Sequence, residues 1–489
     1  MAELDRRAIE GHGEDHGVDG YVLMTRAGQA LFRGLRARYP EAESVLVCCG
    51  GGNNGGDGYV VARLAREAGL DVRVVAMSAP DKIKGEARQA AADWQAAGGS
   101  VMAIDDLPAD DLPGGRLPEA DVIVDALLGT GLDREVRDDY AQLIERINRA
   151  DAPVIAVDVP SGVNADTGSV MGKAVRAEMT ISFIGRKRGL ETGQAPNHTG
   201  ELLFNALEVP DWVYQGLEAD AVLLDASLAR ECLAPREPAS HKGSFGHVLV
   251  CGGDFNMPGA VMLAARAALT TGSGLVSVAT RARHSLALAA GLAEAMWADG
   301  EDGDVLAALL QRSDVVALGP GLGTSEWSRS VWQRLLASKR PVVLDADGLN
   351  LLAEHGFERN DWILTPHPGE AARLLDVGAG DIQHDRFAAA RELAARFDAV
   401  VILKGAGSLV AAPDGRVAVC PFGNPAMAAA GMGDALTGIV ASLRGQGLAA
   451  FDAACAGVVL HARAGDTAAA GRRTLLAGEL IAALPRVLP

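Results

Sequence analysis

The segment Asn424-Pro-Ala-Met-Ala-Ala-Ala-Gly-Met-Gly-Asp-Ala-Leu-Thr-Gly438 sets one acid, Asp434, between a turn of small residues and a helical run through Leu436 and Ile439. Gly431 and Gly433 carry no side chains, so backbone N–H groups can converge on an anion there, and the positive end of the helix adds to the attraction. A carboxylate in such a cradle is badly placed to bind phosphate. It is well placed to take a proton from a hydroxyl as that hydroxyl attacks a phosphoryl group. Asp434 therefore reads as a general base, against the alternative that it only caps a helix. In the first half, Gly50-Gly-Gly-Asn-Asn-Gly-Gly-Asp-Gly58 places Asn53, Asn54 and Asp57 among glycines. Their oxygens suit a ribose, an amide or a cation, and an Asn-Gly turn with an Asp cap does not explain so many glycines around two asparagines. Two further segments, Asp125-Ala-Leu-Leu-Gly-Thr-Gly131 and Asp158-Val-Pro-Ser161-Gly, each put an acid directly after an apolar run.

The elements that must position these groups follow from periodicity. Residues 1–40 are helical in pattern (Leu4, Ala8, Ile9, then Leu23, Ala27, Ala30, Leu31 and Leu35), interrupted by the Gly/His/Asp-rich stretch 11–20. A buried strand over 44–49 ends in the Gly50–Gly58 loop, and helical spacing resumes at Tyr59. Strands at 71–77, 121–126, 153–157 and 179–184 alternate with helical patterns at 83–97 and 138–150, which predicts a parallel sheet with helices on both faces. The acid-bearing strand ends should share its C-terminal rim, where such sheets bind ligands. Arg186-Lys187-Arg188, after 179–184, could hold phosphate but is read as a solvated basic turn.

Residues 208–242 hold Pro210, Pro235 and Pro238 with mixed charge and no long apolar strand, so a boundary is expected near 215–225, giving domains 1–218 and 219–489. A second β/α series then begins. Its polar strand ends are Leu318-Gly-Pro-Gly-Leu-Gly323, Leu344-Asp-Ala-Asp-Gly-Leu-Asn350, Leu364-Thr-Pro-His-Pro-Gly-Glu370 and Leu403-Lys-Gly-Ala-Gly-Ser408.

A chain of 489 residues with 59 glycines and 4% aromatics suits a two- or three-domain α/β enzyme rather than a fibrous or disordered protein. The net charge of −18 divides into 22 basic and 36 acidic residues in 1–220, and 23 and 27 beyond. Neither half offers the basic surface that nucleic acid or an anionic membrane requires. The six cysteines form no Cys-x-x-Cys pair and are expected as small buried hydrophobes. The N-terminus lacks an apolar signal core and no run is long enough to cross a bilayer, so the chain is expected to be soluble and cytoplasmic.

The three first-half motifs, in order, resemble the NAD(P)H-hydrate epimerase domain, and Leu4-Asp-Arg-Arg-Ala-Ile9 and Leu23-Met-Thr-Arg-Ala-Gly28 are similar to that family's first helices. The resemblance implies a Rossmann-like fold and a potassium ion among oxygens matching Asn54, Asp125 and Ser161. It implies hydrated nicotinamide nucleotide, NADHX or NADPHX, at positions matching Asn53, Asn54, Gly55, Gly56, Asp57, Gly129, Thr130, Gly131, Leu132, Asp133, Arg134, Glu135 and Asp158. Asp158 is the acid/base expected at the hydroxylated ring carbon. A lysine that some relatives carry after Gly-Thr-Gly is replaced here by Leu132-Asp133-Arg134. Residues 225–489 resemble the ribokinase-like NAD(P)H-hydrate dehydratases. Carried over by position, Lys404, Gly405, Ala406, Gly407, Ser408 and Gly433 would contact ADP, with Mg2+ as its companion. Ala260, Gly321, Gly323, His367 and Asp434 would contact the hydrate. Each has a structural alternative: His367 as a helix cap, Asp345 and Asp347 as loop-ordering acids. The expected protein thus epimerises and dehydrates hydrated nicotinamide nucleotides as a homo-oligomer, with a tetramer among the options. The alternative is a ribokinase-like small-molecule kinase whose first half is a nucleotide-binding scaffold.

Overall fold

The computed structural model describes residues 2–11, 16–107 and 116–489, so residues 12–15 of the expected interruption lie outside the described residues. The chain divides into two compact units, 1–219 and 220–489.

In the first unit the seven strands are β1 (Ser44–Cys49), β2 (Asp71–Ala76), β3 (Val101–Ala103), β4 (Val122–Ala126), β5 (Val154–Val157), β6 (Met179–Phe183) and β7 (Glu201–Asn205). They form a wholly parallel sheet in the order β3-β2-β1-β4-β5-β6-β7. Leu46 to Cys49 are inaccessible because helices cover both faces, which is why the strand reads as a continuous apolar run. On one face lie the helices Gly20–Arg38, Asn53–Glu67 and Gly85–Ala96; on the other lies Asp138–Arg149, through Leu143, Ile144 and Ile147. Asp19 starts the Gly20–Arg38 helix by accepting the N–H groups of Tyr21 and Val22 at 3.0 and 3.1 Å. The strand order reverses direction between β1 and β4, which opens a crevice at their C-terminal ends.

The expected loop Gly50–Gly58 is shorter than its sequence suggests, because the helix begins at Asn53. Gly55 and Gly56 are buried inside its first turn. A side chain at Gly55 would collide with the Gly50 carbonyl, and one at Gly56 would meet Met24 and the Ala87 backbone. These glycines bring the helix close to its neighbours and leave Asn53, Asn54 and Asp57 projecting from a helix start.

The second unit contains β8 (Val222–Leu223), β9 (His247–Cys251), β10 (Leu275–Thr280), β11 (Met296–Asp299), β12 (Val315–Leu318), β13 (Val342–Leu344), β14 (Trp362–Leu364), β15 (Val400–Leu403), β16 (Ser408–Ala411) and β17 (Val417–Cys420). Their order is β11-β10-β9-β12-β13-β14-β15-β16-β17-β8, parallel except where β16 runs antiparallel to β15 and β17. β8 lies in the stretch expected to hold no long apolar strand, and its two residues at a sheet edge are consistent with that. Order again reverses between β9 and β12. All six cysteines are free, and only Cys232 is not fully buried.

Helix Met432–Gly445 packs directly on helix Pro258–Thr271. A Cβ at Gly438 would fall on the Ala264 carbonyl, so only glycine allows this approach. We expect Gly438→Ala to destabilise the second unit by about 1–3 kcal/mol through overpacking, measured by urea unfolding.

Candidate functional site

Each unit carries its chemistry at the reversal of its strand order. In the first, a cleft of about 560 Å³ is lined by Asn53, Asn54 and Asp57, by Leu128 to Arg134 after β4, by Asp158 after β5, and by Lys187 after β6. Asp5, from the N-terminal helix Ala2–Glu10, completes one wall. Gly55, Gly56 and Glu135 are not among the lining residues. Glu135 pairs instead with Arg137 at the surface, at 2.8 Å.

At the cleft floor, Asp125 accepts the Ser161 hydroxyl at 2.6 Å, the Ser161 N–H at 2.8 Å and the Leu127 N–H at 3.3 Å. Burial outweighs these bonds and pushes its carboxyl up to about 6. All three donors are neutral. The amide nitrogen of Asn54 is buried without a hydrogen-bond partner, and a Cβ at Gly129 would lie 3.4 Å from that amide. Turning the amide over would present its oxygen in the same place. A buried carboxylate facing only neutral donors, beside an unsatisfied amide and a serine oxygen, is a donor set for a hard cation of low charge.

Asp158 turns the chain out of β5 in the left-handed region, at φ 63°. Its Oδ1 accepts the Phe183 N–H at 2.9 Å and receives the Lys187 ammonium, which also donates to the Phe183 carbonyl at 2.8 Å. The solvated reading of the basic turn is thus corrected for Lys187, whose side chain is only 1% exposed. Arg186 behaves as expected, pairing with Glu191 at 3.4 Å on the surface. Sequence gave no direct signal for Lys187, flanked as it is by two arginines. The ladder Val157↔Ile181, which sets the end of β6 beside that of β5, brings lysine and aspartate together. Asp57 is half-buried, and burial, then the neighbouring charges of Asp158 and Asp5, hold its carboxyl well above the ordinary range despite Lys187.

In the second unit, Asp345 at the end of β13 is 1% exposed. It is engaged by Lys404 Nζ at 2.6 Å and by the Thr437 hydroxyl at 2.8 Å. Glu370 lies 3.7 Å from the same ammonium. Burial acts to raise the Asp345 carboxyl, but Lys404 and the hydrogen bonds hold it below its ordinary value. Gly433 sits directly above, where a Cβ would be 3.3 Å from Lys404 Nζ. Asp434 is the third residue of its helix; the cap is Gly431, at φ 87°, so the capping reading does not apply. Burial, then the charge of Asp345, pushes the Asp434 carboxyl up to about 7, against the pull of Lys404.

The remaining predicted residues form a second wall. Asp347 accepts the Gly323 N–H at 2.8 Å, and a Cβ at Gly321 would lie 3.1 Å from that of Ala260. Ala346, between the two acids, is held at φ 47° and ψ −121°, a region populated by glycine, which costs about 1–3 kcal/mol and lets Asp345 and Asp347 reach opposite sides of the loop. His367 caps the helix Pro368–Leu375 through Nδ1, at 2.9 Å from the Gly369 N–H, with Glu370 bonding back to its own N–H. Its ring remains half exposed. The Ser408 hydroxyl is turned back onto the Gly405 carbonyl at 3.0 Å. Sequence reading left out Arg386, which is 1% exposed and donates to the Leu403 and Lys404 carbonyls at 3.1 and 3.3 Å beneath the Gly405–Ser408 turn.

Residues 20–189 match the family model described as YjeF-related protein N-terminus, and residues 248–486 that described as NAD(P)H-hydrate dehydratase. The bifunctional NAD(P)H-hydrate repair enzyme Nnr of Coxiella burnetii is 46% identical over 98% of this chain and 96% of its own length. The chain belongs to that family. The Escherichia coli K12 member is 43% identical over 96% of this chain and 90% of its own. Among solved structures, the ADP/ATP-dependent NAD(P)H-hydrate dehydratase of Bacillus subtilis, co-crystallised with ATP/Mg2+, is 31% identical, covers 55% of this chain and 98% of its own, and superposes with a TM-score of 0.50. A ribokinase-like superfamily protein from Enterococcus faecalis is 26% identical over 56% of this chain and 96% of its own, with a TM-score of 0.53. No helix of the described residues is long and apolar enough to cross a membrane.

Raising Asp434 to about 7 has a stability consequence. The folded carboxyl holds a proton that the unfolded one, at its ordinary 3.8, releases. The stability this contributes is whole below about pH 4 and is lost as pH rises through 7. We expect Asp434→Asn to stabilise the second unit by about 2 kcal/mol at pH 8, with the gain vanishing by pH 4, read from urea unfolding at both values.

Proposed function

We propose that the chain repairs hydrated nicotinamide nucleotides, the first unit interconverting the R and S forms of NADHX and NADPHX and the second dehydrating the S form at the expense of ADP. The observation that carries the second activity is the Asp434 carboxyl beside the Asp345–Lys404 pair at a glycine-capped helix start. Near neutral pH that carboxyl is poised to accept a proton. Asp434 takes the proton of the C6 hydroxyl as its oxygen attacks the terminal phosphoryl group of ADP, releasing AMP. Loss of the new phosphate ester with a proton from C5 restores the dihydronicotinamide ring. Lys404 fixes Asp345 and, through Gly433, leaves open space beside a positive charge. The Gly405–Ser408 turn, held from below by Arg386, supplies backbone groups for the phosphates. Mg2+ would be carried in on the phosphates of ADP, and its charge would neutralise the transferring group.

In the first unit, Asn54, Asp125 and Ser161 would hold K+, whose contribution is to fix the β4 and β5 loops around the substrate. Asp158, oriented by Lys187 and the Phe183 N–H, stands at the reacting ring carbon.

Absorbance recovery from mixed NADHX epimers tests both assignments. Wild type with ADP should recover all of the material, Asp158→Asn only the share of one epimer, and Asp434→Asn none while still binding ADP. Accumulation of a phosphorylated acceptor without NADH would instead favour the kinase reading.

A further inference from the structure

The cleft of the first unit is lined by four carboxylates, Asp5, Asp57, Asp133 and Asp158, with Lys187 and Arg134, and the proposed reaction uses only one of the carboxylates. Asp57 is the fifth residue of the Asn53–Glu67 helix after β1, whereas Asp158 follows β5. β4 lies between those two strands, so the strands that deliver the two acids are about 10 Å apart. The two differ in their partners. Asp158 is held by Lys187, the Phe183 N–H and the Ser182 hydroxyl. The Asp57 carboxyl has no hydrogen-bond partner among the described residues and lines the cleft. The charged groups facing it are Asp5 from the N-terminal helix, Asp158 after β5 and Lys187 after β6, with Asp133 and Arg134 further along the rim.

We propose that Asp57 is the second catalytic carboxyl of the epimerase, donating the proton with which the C6 hydroxyl departs while Asp158 receives a proton from the water that returns on the opposite face. This assignment rests on the epimerase reading of the first unit. The substrate's C6 bears its hydroxyl next to the ring nitrogen, so the C–O bond breaks as Asp57 protonates the oxygen and the nitrogen lone pair forms a C6=N1 iminium. Water then adds to C6 from the other side, and its proton passes to the Asp158 carboxylate. Atoms and charge balance: one water leaves, one enters, and one proton moves from Asp57 to Asp158. The other epimer uses the same pair in reverse. Burial, then crowding by Asp158 and Asp5, suits Asp57 to start protonated, while the Lys187 ammonium and the Phe183 N–H hold Asp158 in place as the partner that receives the proton.

The test follows inversion of purified (R)-NADHX in 18O-water, by chromatography and mass spectrometry, with the full-length chain. Wild type should gain one solvent oxygen per inversion. Asp57→Asn should slow inversion about 100-fold or more, with ADP-dependent dehydration of the S epimer unchanged, and Asp57→Glu should recover part of the rate. The wild-type rate should also fall at alkaline pH, a limb that Asp57→Asn lacks. Inversion at the wild-type rate in Asp57→Asn, or inversion by wild type with the original oxygen retained, overturns the assignment. Absence of any inversion by wild type overturns the epimerase reading itself. Should Asp57→Asn fail to fold, the oxygen label in wild type and the rate of Asp57→Glu decide.

Discussion

In each unit one lysine, Lys187 fully buried and Lys404 partly so, enters a space that holds more carboxylates than it can neutralise. Lys187 satisfies Asp158, and Lys404 satisfies Asp345. A buried ion pair is costly to desolvate and is retained only when geometry and further hydrogen bonds complete it. Here Phe183 and Ser182 complete one pair and Thr437 the other. The acid left over, Asp57 in the first unit and Asp434 in the second, then faces a like charge in low dielectric and keeps its proton to unusually high pH. One pairing interaction thus creates both a fixed anion and a titratable neighbour, the combination that proton transfer needs.

That arrangement depends on where the parallel sheets reverse. β1 and β4 diverge in the first unit, and β9 and β12 in the second, so their following loops part and leave a crevice. Glycines then set how closely helices approach its walls. Gly55 and Gly56 let the Asn53–Glu67 helix sit against Gly50 and Met24, and Gly438 lets the Met432–Gly445 helix sit against Ala264. The glycines of these motifs therefore act largely by shaping backbone packing, and the side chains beside them do the chemistry. The strained Ala346 does the same at finer scale, placing Asp345 under Gly433 and Asp347 against Gly323.

Much of this was legible from residue order. Apolar runs of four to six residues ending in acids located the strand ends, because parallel strands buried on both faces carry no polar positions until they leave the sheet. The helix start at Asn53 was less legible, since glycines and asparagines ordinarily signal a loop; packing against β1 and the neighbouring helices overrides that preference. Lys187 was misread because two arginines beside it belong to the surface, and only the β5–β6 ladder distinguishes the one side chain that turns inward. Asp5 sits about fifty residues from Asp57, on a helix whose sequence pattern indicates only an amphipathic surface element.

The sequence by itself determined the two α/β series, the family, and the acids and amides at each strand end, since these depend on local periodicity and on residue types that occupy few other roles. Tertiary structure alone decided which of those acids are paired and which are left without a counter-charge. That outcome depends on whether a lysine reaches a given carboxylate and on how much water is excluded around it. Both are set by strand order and helix approach, which bring together residues such as Asp345 and Lys404 that are distant in the chain.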